Sequence, residues 1–296
     1  MDVKKNSPKA WLLATRPKTL TGAAVPVMIG LAMAYSSLAT HQFLLLPAVL
    51  CLLFAFIMQI DANLVNDLFD YLKGTDDRAT RLGPERACTQ GWVSIGAMKW
   101  AIALTTLLAC VVGLPLVVYG GWPMVVVGVF CVVFCFLYTT HLSYRGLGDV
   151  LVLVFFGLVP VCVTYYLQTH TITAQVVVAS LACGLVIDAL LLVNNFRDRD
   201  TDRMAGKRTL VVSIGAKATL WVYLAVGIVA CLTGLLFALD GHRLAFVLPL
   251  FYLLLHVGTW RKMKRLWQGR ALNACLAETA RNIFVYGLTL SLGFLC

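Results

Sequence analysis

The residues best able to do chemistry here are the acidic ones, because they are few and unevenly placed. Of 14 Asp and Glu in 296 residues, Asp67, Asp70, Asp76, Asp77 and Glu85 form one group and Asp198, Asp200 and Asp202 a second, together more than half of the total. In the first group Asn63, Asn66, Asp67 and Asp70 fall at i, i+3, i+4 and i+7, which is one stripe of a helix. In the second, Asn194 or Asn195, Asp198 and Asp202 stack on successive turns. Both groups offer carboxylate and carboxamide oxygens with no sulfur and no histidine. That donor set suits a hard cation such as magnesium, which takes one or two carboxylates and fills its remaining positions with water and substrate phosphates. Basic residues follow each group: Lys73, Arg78, Arg81 and Arg86 after the first, Arg203, Lys207 and Arg208 after the second. Carboxylates alone repel a phosphate, but with metal between them they hold one, and Lys and Arg bind the oxygens left over. Acid then base, twice, is the pattern of a metal-bridged diphosphate. Any one of these residues could instead be a helix cap or part of a solvated face; the doubled arrangement argues against that for the whole.

The elements that carry these residues belong to a membrane protein. The chain is 60% hydrophobic and 13% charged, with mean hydropathy +0.85, far from the roughly 25% charged of soluble domains. Apolar runs able to cross a hydrocarbon core of roughly 30 Å read at 21–38, 43–65, 95–118, 122–139, 150–167, 174–193, 220–239, 244–260 and 276–295. The expected fold is therefore all-α and polytopic, about nine transmembrane helices around a central cavity. It forms a single domain over 1–296 with two similar halves, roughly 1–148 and 149–296, each carrying one acidic motif. Nine spans put every Lys and Arg except Arg243 on one face, which by the positive-inside bias is cytoplasmic. The N-terminus and both motifs then lie on that side. The net charge of +10 follows from this topology and from contact with anionic lipid, so nucleic acid is not an expected partner. No short apolar stretch with a small-residue cleavage site follows the basic N-terminus, so no removable signal is read. Ten cysteines, mostly within apolar runs and without Cys-x-x-Cys, point to neither a disulfide framework nor a zinc site.

At this point the residues resemble the UbiA-type superfamily of intramembrane aromatic prenyltransferases. The matching segments are Arg16-Pro17-Lys18-Thr19-Leu20, then Asn66-Asp67-x-x-Asp70-Tyr71-x-Lys73-Gly74-x-Asp76 with Arg81-x-Gly83-Pro84-x-Arg86. They continue through Tyr138-Thr139, Tyr144-x-Gly146-x-Gly148-Asp149 and Phe155-Phe156-Gly157 to Asn194-Asn195-x-Arg197-Asp198-x-x-x-Asp202-x-x-x-Gly206-Lys207-x-Thr209-Leu210. Within that superfamily the chain is similar to the 1,4-dihydroxy-2-naphthoate polyprenyltransferases of menaquinone synthesis. Gly74 and Gly206 stand where many superfamily members carry a third Asp, and Tyr138-Thr139-Thr140-His141 departs from the stretch typical of the hydroxybenzoate branch.

The resemblance implies magnesium-dependent transfer of a polyprenyl group from an allylic diphosphate to 1,4-dihydroxy-2-naphthoate, with loss of carbon dioxide and diphosphate, giving demethylmenaquinone in a bacterial inner membrane. The catalytic aspartates would be Asp67, Asp70, Asp198 and Asp202. Asn66, Asp76, Asn194 and Asn195 would join them as metal ligands, and Lys73, Arg81, Arg86 and Lys207 would hold the diphosphate. Arg16, Lys18, Tyr138 and Arg145 are the candidates for the aromatic acceptor. Asp61 and Asp188 lie deeper in their helices, where an ionisable residue is a functional candidate; each is either a base for a ring hydroxyl or a partner for a nearby donor. A 4-hydroxybenzoate acceptor and, in a different class, a secondary transporter are the alternatives. Acidic motifs at the helix ends rather than the midplane count against the transporter.

Overall fold

The structure is a computed structural model that describes residues 3–38, 42–74 and 81–296. The described residues are mostly helical, without a strand among them. Eight helices are long and apolar enough to cross a membrane: α1 (Pro8–Ser37), α2 (Leu45–Leu72), α3 (Ile95–Gly113), α4 (Pro123–Arg145), α5 (Gly148–Thr169), α6 (Ala174–Met204), α7 (Leu210–Leu239) and α8 (Arg243–Leu266). A ninth long helix, α9 (Asn273–Leu295), matches the last expected span. It is less apolar because Glu278, Arg281 and Asn282 occupy its first half, yet it packs along α1, where Val25 and Met28 fill the space over Gly287.

Two helices are longer than the sequence pattern predicts, and both carry an acidic motif. The apolar run of α2 stops at Val65, but the helix continues to Leu72; α6 likewise runs past Val193 to Met204. At 1.5 Å per residue, 28 and 31 residues span about 42 and 46 Å, well beyond a hydrocarbon core of roughly 30 Å. The surplus turns extend beyond the apolar runs and present the Asn and Asp stripes.

Breaks in the other helices fall where they shape the site. In α1, Ser7 accepts the Ala10 N–H and Pro8 occupies the first turn. Arg16 then adopts a left-handed φ of 49° and ends the first segment. Asn63 of α2 holds the break in place, its Nδ2 donating to the Thr15 carbonyl at 3.0 Å and to the Thr19 hydroxyl at 2.9 Å. α4 and α5 each contain a π-turn, Tyr138–Leu142 and Leu153–Leu158, the kind of widening often found at functional sites. The α5 π-turn meets α6 at Gly157 and Gly184; a Cβ on Gly157 would lie 2.5 Å from the Ser180 carbonyl oxygen, so only glycine permits this crossing.

The cavity is walled by α1, α2, α4, α5, α6 and α9, while α7 and α8 pack behind. That outer layer has its own satisfied polar core. His256 is fully buried, its Nε2 2.7 Å from the Tyr223 carbonyl and its Nδ1 3.1 Å from the Tyr252 hydroxyl, which makes it a packing residue.

Candidate active site

One cavity of about 1140 Å³ joins the two motifs. Its inner part is apolar, with Phe54, Met58, Val127, Phe134 and Phe155 among its walls. Its mouth carries Asn66 and Asp70 from α2, and Asn194, Asn195, Asp198 and Asp202 from α6. Asp70, Asp198 and Asp202 interact electrostatically across the opening. Among the described residues no three acidic, His or Cys side chains enclose a metal by themselves. Six oxygen-bearing side chains around one opening nevertheless fit magnesium, which relies on water and phosphate for most of its shell.

Each carboxylate at the mouth is paired with a cation. Arg86 Nη1 lies 2.7 Å from Asp70 Oδ2 and donates at 2.7 Å to the Asn66 carbonyl. Lys207 Nζ stands 3.7 Å from Asp202 Oδ1. Arg197, only 3% exposed, forks onto its neighbour Asp198 with Nε–Oδ1 2.7 Å and Nη2–Oδ2 2.5 Å, and also donates to Asn194 Oδ1 and Asn273 Oδ1 at 2.8 Å each. A buried guanidinium with four oxygen partners from three residues fixes the geometry of the α6 motif and links it to α9. The sequence places Arg197 in the matching motif but assigns it no role. The signal was its i, i+3 spacing from Asn194, but what makes it central, Asn273, lies 76 residues away.

The segment after α2 folds back over this mouth. Arg81, Leu82, Pro84 and Arg86 line the cavity, Asn273 Nδ2 donates to the Leu82 carbonyl at 2.8 Å, and Gly83 sits so close to Arg197 that a Cβ would be 2.7 Å from Nη2. Asp67 anchors this segment. It is completely buried, and its carboxylate accepts the backbone N–H groups of Ala87 at 2.8 Å and Cys88 at 3.0 Å. It is absent from the cavity wall: in i, i+3, i+4 stripes neighbouring residues diverge by 100°, and Asp67 takes the side facing the loop.

Other expected residues divide in the same way. Arg16, Lys18 and Tyr138 line the cavity, and Arg16 Nη2 is buried there without a hydrogen-bond partner among the described residues. Arg145 is exposed and off the cavity wall. At i+7 from Tyr138 a regular helix would bring it to the same face, but the π-turn between them rotates it away. Gly146 follows with φ 78° and no room for a side chain, the Arg208 carbonyl oxygen lying 2.6 Å from its would-be Cβ; Arg208 N–H in turn donates to the Tyr144 carbonyl at 3.0 Å. Lys73 is also off the wall. It donates to the Thr139 and Thr140 carbonyls at 3.2 and 2.5 Å, within the π-turn, and rests 4.2 Å above the Tyr144 ring. Desolvation pulls its pKa below that of an ordinary lysine, with Asp70 opposing and Lys207 reinforcing the shift. The Thr139 hydroxyl in turn donates to Asn66 Oδ1. Asp76 lies outside the described residues.

Of the deeper acids, Asp61 is a partner for donors: Thr105 and Thr106 hydroxyls of α3 occupy its two oxygens at 2.5 and 2.8 Å. Asp188 and Asp149 each keep a buried oxygen without a hydrogen-bond partner among the described residues. Asp149 lines the cavity, following Gly148, which packs against the Tyr138 hydroxyl.

A helical membrane protein with a long apolar cavity, sealed at one face by paired oxygen-rich motifs and arginines, is built to bring an amphiphile with an anionic head to a reaction centre. The sequence matches the UbiA prenyltransferase family over residues 23–283. It is 38% identical over 216 residues to a 1,4-dihydroxy-2-naphthoate octaprenyltransferase of Escherichia coli, covering 70% of this chain and 69% of that protein. It is 37% identical over 217 residues to one of Haemophilus influenzae, covering 70% of each. In structure it is similar to a UbiA homolog from Aeropyrum pernix (TM-score 0.68, 16% identity, 92% of this chain and 96% of that one). It is also similar to one from Archaeoglobus fulgidus bound to GPP and Mg2+ (TM-score 0.67, 12% identity, 95% and 99%). The chain belongs to the UbiA prenyltransferase family.

Proposed function

We propose that this enzyme transfers a polyprenyl group from an allylic diphosphate to 1,4-dihydroxy-2-naphthoate in menaquinone biosynthesis, at the cytoplasmic face of a bacterial inner membrane. The observation that carries the reading is the single cavity joining an apolar tunnel to two facing motifs of carboxylates, carboxamides and arginines. Similarity to 1,4-dihydroxy-2-naphthoate octaprenyltransferases supports the acceptor, and the one-sided Lys and Arg support the orientation.

The prenyl tail lies along Phe54, Val127 and Phe155, and the diphosphate head meets Arg81, Arg86 and Lys207. Magnesium held by Asn66, Asp70, Asn194, Asp198 and Asp202 would supply Lewis-acid neutralisation of the leaving diphosphate. Asp67 and Lys73 take supporting roles, one tying down the 86–88 backbone and the other the α4 π-turn. As the allylic C–O bond breaks, its electron pair leaves with the diphosphate, and the apolar walls keep water from the carbon left electron-poor. The ring carbon bearing the carboxylate forms the new C–C bond. Carbon dioxide then leaves, and the pair from its C–C bond restores the aromatic ring. Charge balances without a net proton, and the product is the reduced, quinol form of demethylmenaquinone. Arg16, with its unpartnered Nη2, binds the acceptor carboxylate, and Asp149 beside Tyr138 accepts a ring hydroxyl proton transiently to enrich the ring.

Purified protein assayed side by side with the naphthoate and with 4-hydroxybenzoate, each with a long prenyl diphosphate, tests this reading. Magnesium-dependent product with the naphthoate is expected. Preference for 4-hydroxybenzoate would overturn the acceptor, and diphosphate release from neither would overturn the reaction.

A further inference from the structure

A second pocket, of about 500 Å³, lies between α8 and α9; it contains none of the motif residues and shares only Arg281 with the wall of the first cavity. On α8, Leu254, Gly258, Arg261 and Arg265 follow one another at helical spacing and all are exposed; on α9, Glu278 and Arg281 complete the walls. Over about 16 Å the α8 stripe changes from apolar, with Leu254 71% exposed, to basic at the helix end. Gly258 leaves the middle open, since a Cβ there would meet nothing within 4 Å.

The basic end sits at the motif face of the membrane. Trp267, just after α8, accepts from Arg199 at 2.9 Å, and Asn273, at the start of α9, accepts from Arg197. The pocket's one carboxylate is already engaged: Glu278 Oε1 lies 2.5 Å from Lys262 Nζ, and Oε2 accepts from Thr259. Among the described residues no carboxylate pairs with Arg261, Arg265 or Arg281. Arg261 and Arg265 thus crown a groove that is apolar toward the bilayer interior, and Arg281 stands on its α9 wall near the level of Thr259, where Asn282 Nδ2 donates to the Thr259 hydroxyl at 3.0 Å and Arg281 Nη2 to Asn282 Oδ1 at 3.3 Å.

We infer that this groove is a binding seat for an anionic phospholipid, its phosphodiester held by Arg261, Arg265 and Arg281 and an acyl chain lying along Leu254 and Leu255. A basic pocket between helices at this depth matches such a lipid in both charge and polarity gradient. A soluble anion would use only the upper half. A general cytoplasmic excess of Lys and Arg explains basic residues on this face, but not an open groove that gathers three of them against apolar walls.

The test is lipid retention, independent of turnover. Delipidated protein in a neutral detergent is titrated with phosphatidylglycerol, phosphatidylcholine or inorganic phosphate, and bound lipid is read by native mass spectrometry alongside the thermal midpoint. Wild type should retain phosphatidylglycerol and gain thermal stability from it, but not from the other two. At about fivefold per charge, the R261Q/R265Q/R281Q variant should bind about 100-fold more weakly. The control K99Q/K217Q/K264Q, which removes as much charge from the same face, should bind as wild type. Equal loss in that control, equal retention of phosphatidylcholine, or a full effect from phosphate alone would each overturn the proposal. Should the triple variant not fold, R265Q at its exposed position decides: unchanged retention overturns the seat, and about fivefold weaker retention supports it.

Discussion

Two aspartates three residues apart on α2 do different work, and that division can be measured. Asp70 faces the cavity, so Asp70→Asn, which keeps an oxygen for Arg86, should abolish diphosphate release while leaving the thermal midpoint close to wild type. Asp67 instead satisfies two buried backbone donors, each costing about 1–3 kcal/mol when orphaned. Asp67→Ala should therefore lower the thermal midpoint clearly, and any loss of activity should follow loss of fold. A reversed pattern would show that Asp67 meets the substrate after all. Arg197 gives a second residue-scale prediction. Its planar fork spans Asp198, Asn194 and Asn273 at once, which a lysine cannot imitate. Arg197→Lys should cost about 100-fold or more in kcat/KM, roughly the 3 kcal/mol of a broken charge-assisted network. Near-wild-type kinetics would reduce it to a spectator.

Helix interruptions do at the element scale what side chains do locally. The left-handed break at Arg16 points a guanidinium into the cavity, and the α4 π-turn frees the Thr139 and Thr140 carbonyls for Lys73. The turn at Gly146 closes against Arg208, joining the end of α4 to the segment behind the second motif. Gly146→Ala must enter a left-handed conformation, costing about 1–2 kcal/mol, and also meets the Arg208 carbonyl. Lower thermal stability is expected together with a raised KM for prenyl diphosphate, because Lys207 is the next residue along. A variant as stable and active as wild type would show that this junction is slack.

For the whole molecule, the proposed prenyl donor is expected to lay its tail in the apolar cavity. Gly128 lies on the wall of the part far from the motifs, with open space before it. Gly128→Phe should fill that end, raising KM for long prenyl diphosphates while leaving short ones such as geranyl diphosphate almost unaffected. Equal effects on long and short donors would mean that the tail takes another path. Chelation addresses the opposite end: EDTA should stop turnover and added magnesium should restore it, and unaffected turnover would remove metal from the reaction.

Much of this architecture was legible in the residues themselves. Acids are costly near a bilayer, so their concentration into two striped motifs announced the mouth of the site, and the run of apolar segments announced the helices around it. Local periodicity also predicted which side of α6 would face inward. What periodicity could not supply was the sorting of neighbours on one stripe. Asp67 and Asp70 look equivalent in sequence, and only the return of the 81–88 segment, 20 residues on, turns one into a loop anchor. Arg145 stands off the cavity wall for a related reason, since a π-turn leaves no clear mark in hydropathy but rotates everything beyond it. The sequence by itself therefore determined the chemistry the site can offer, because residue type and helical spacing are local properties. The tertiary structure decided which oxygens and guanidiniums line the cavity, because that depends on contacts between α2, α6 and α9 that no local pattern encodes.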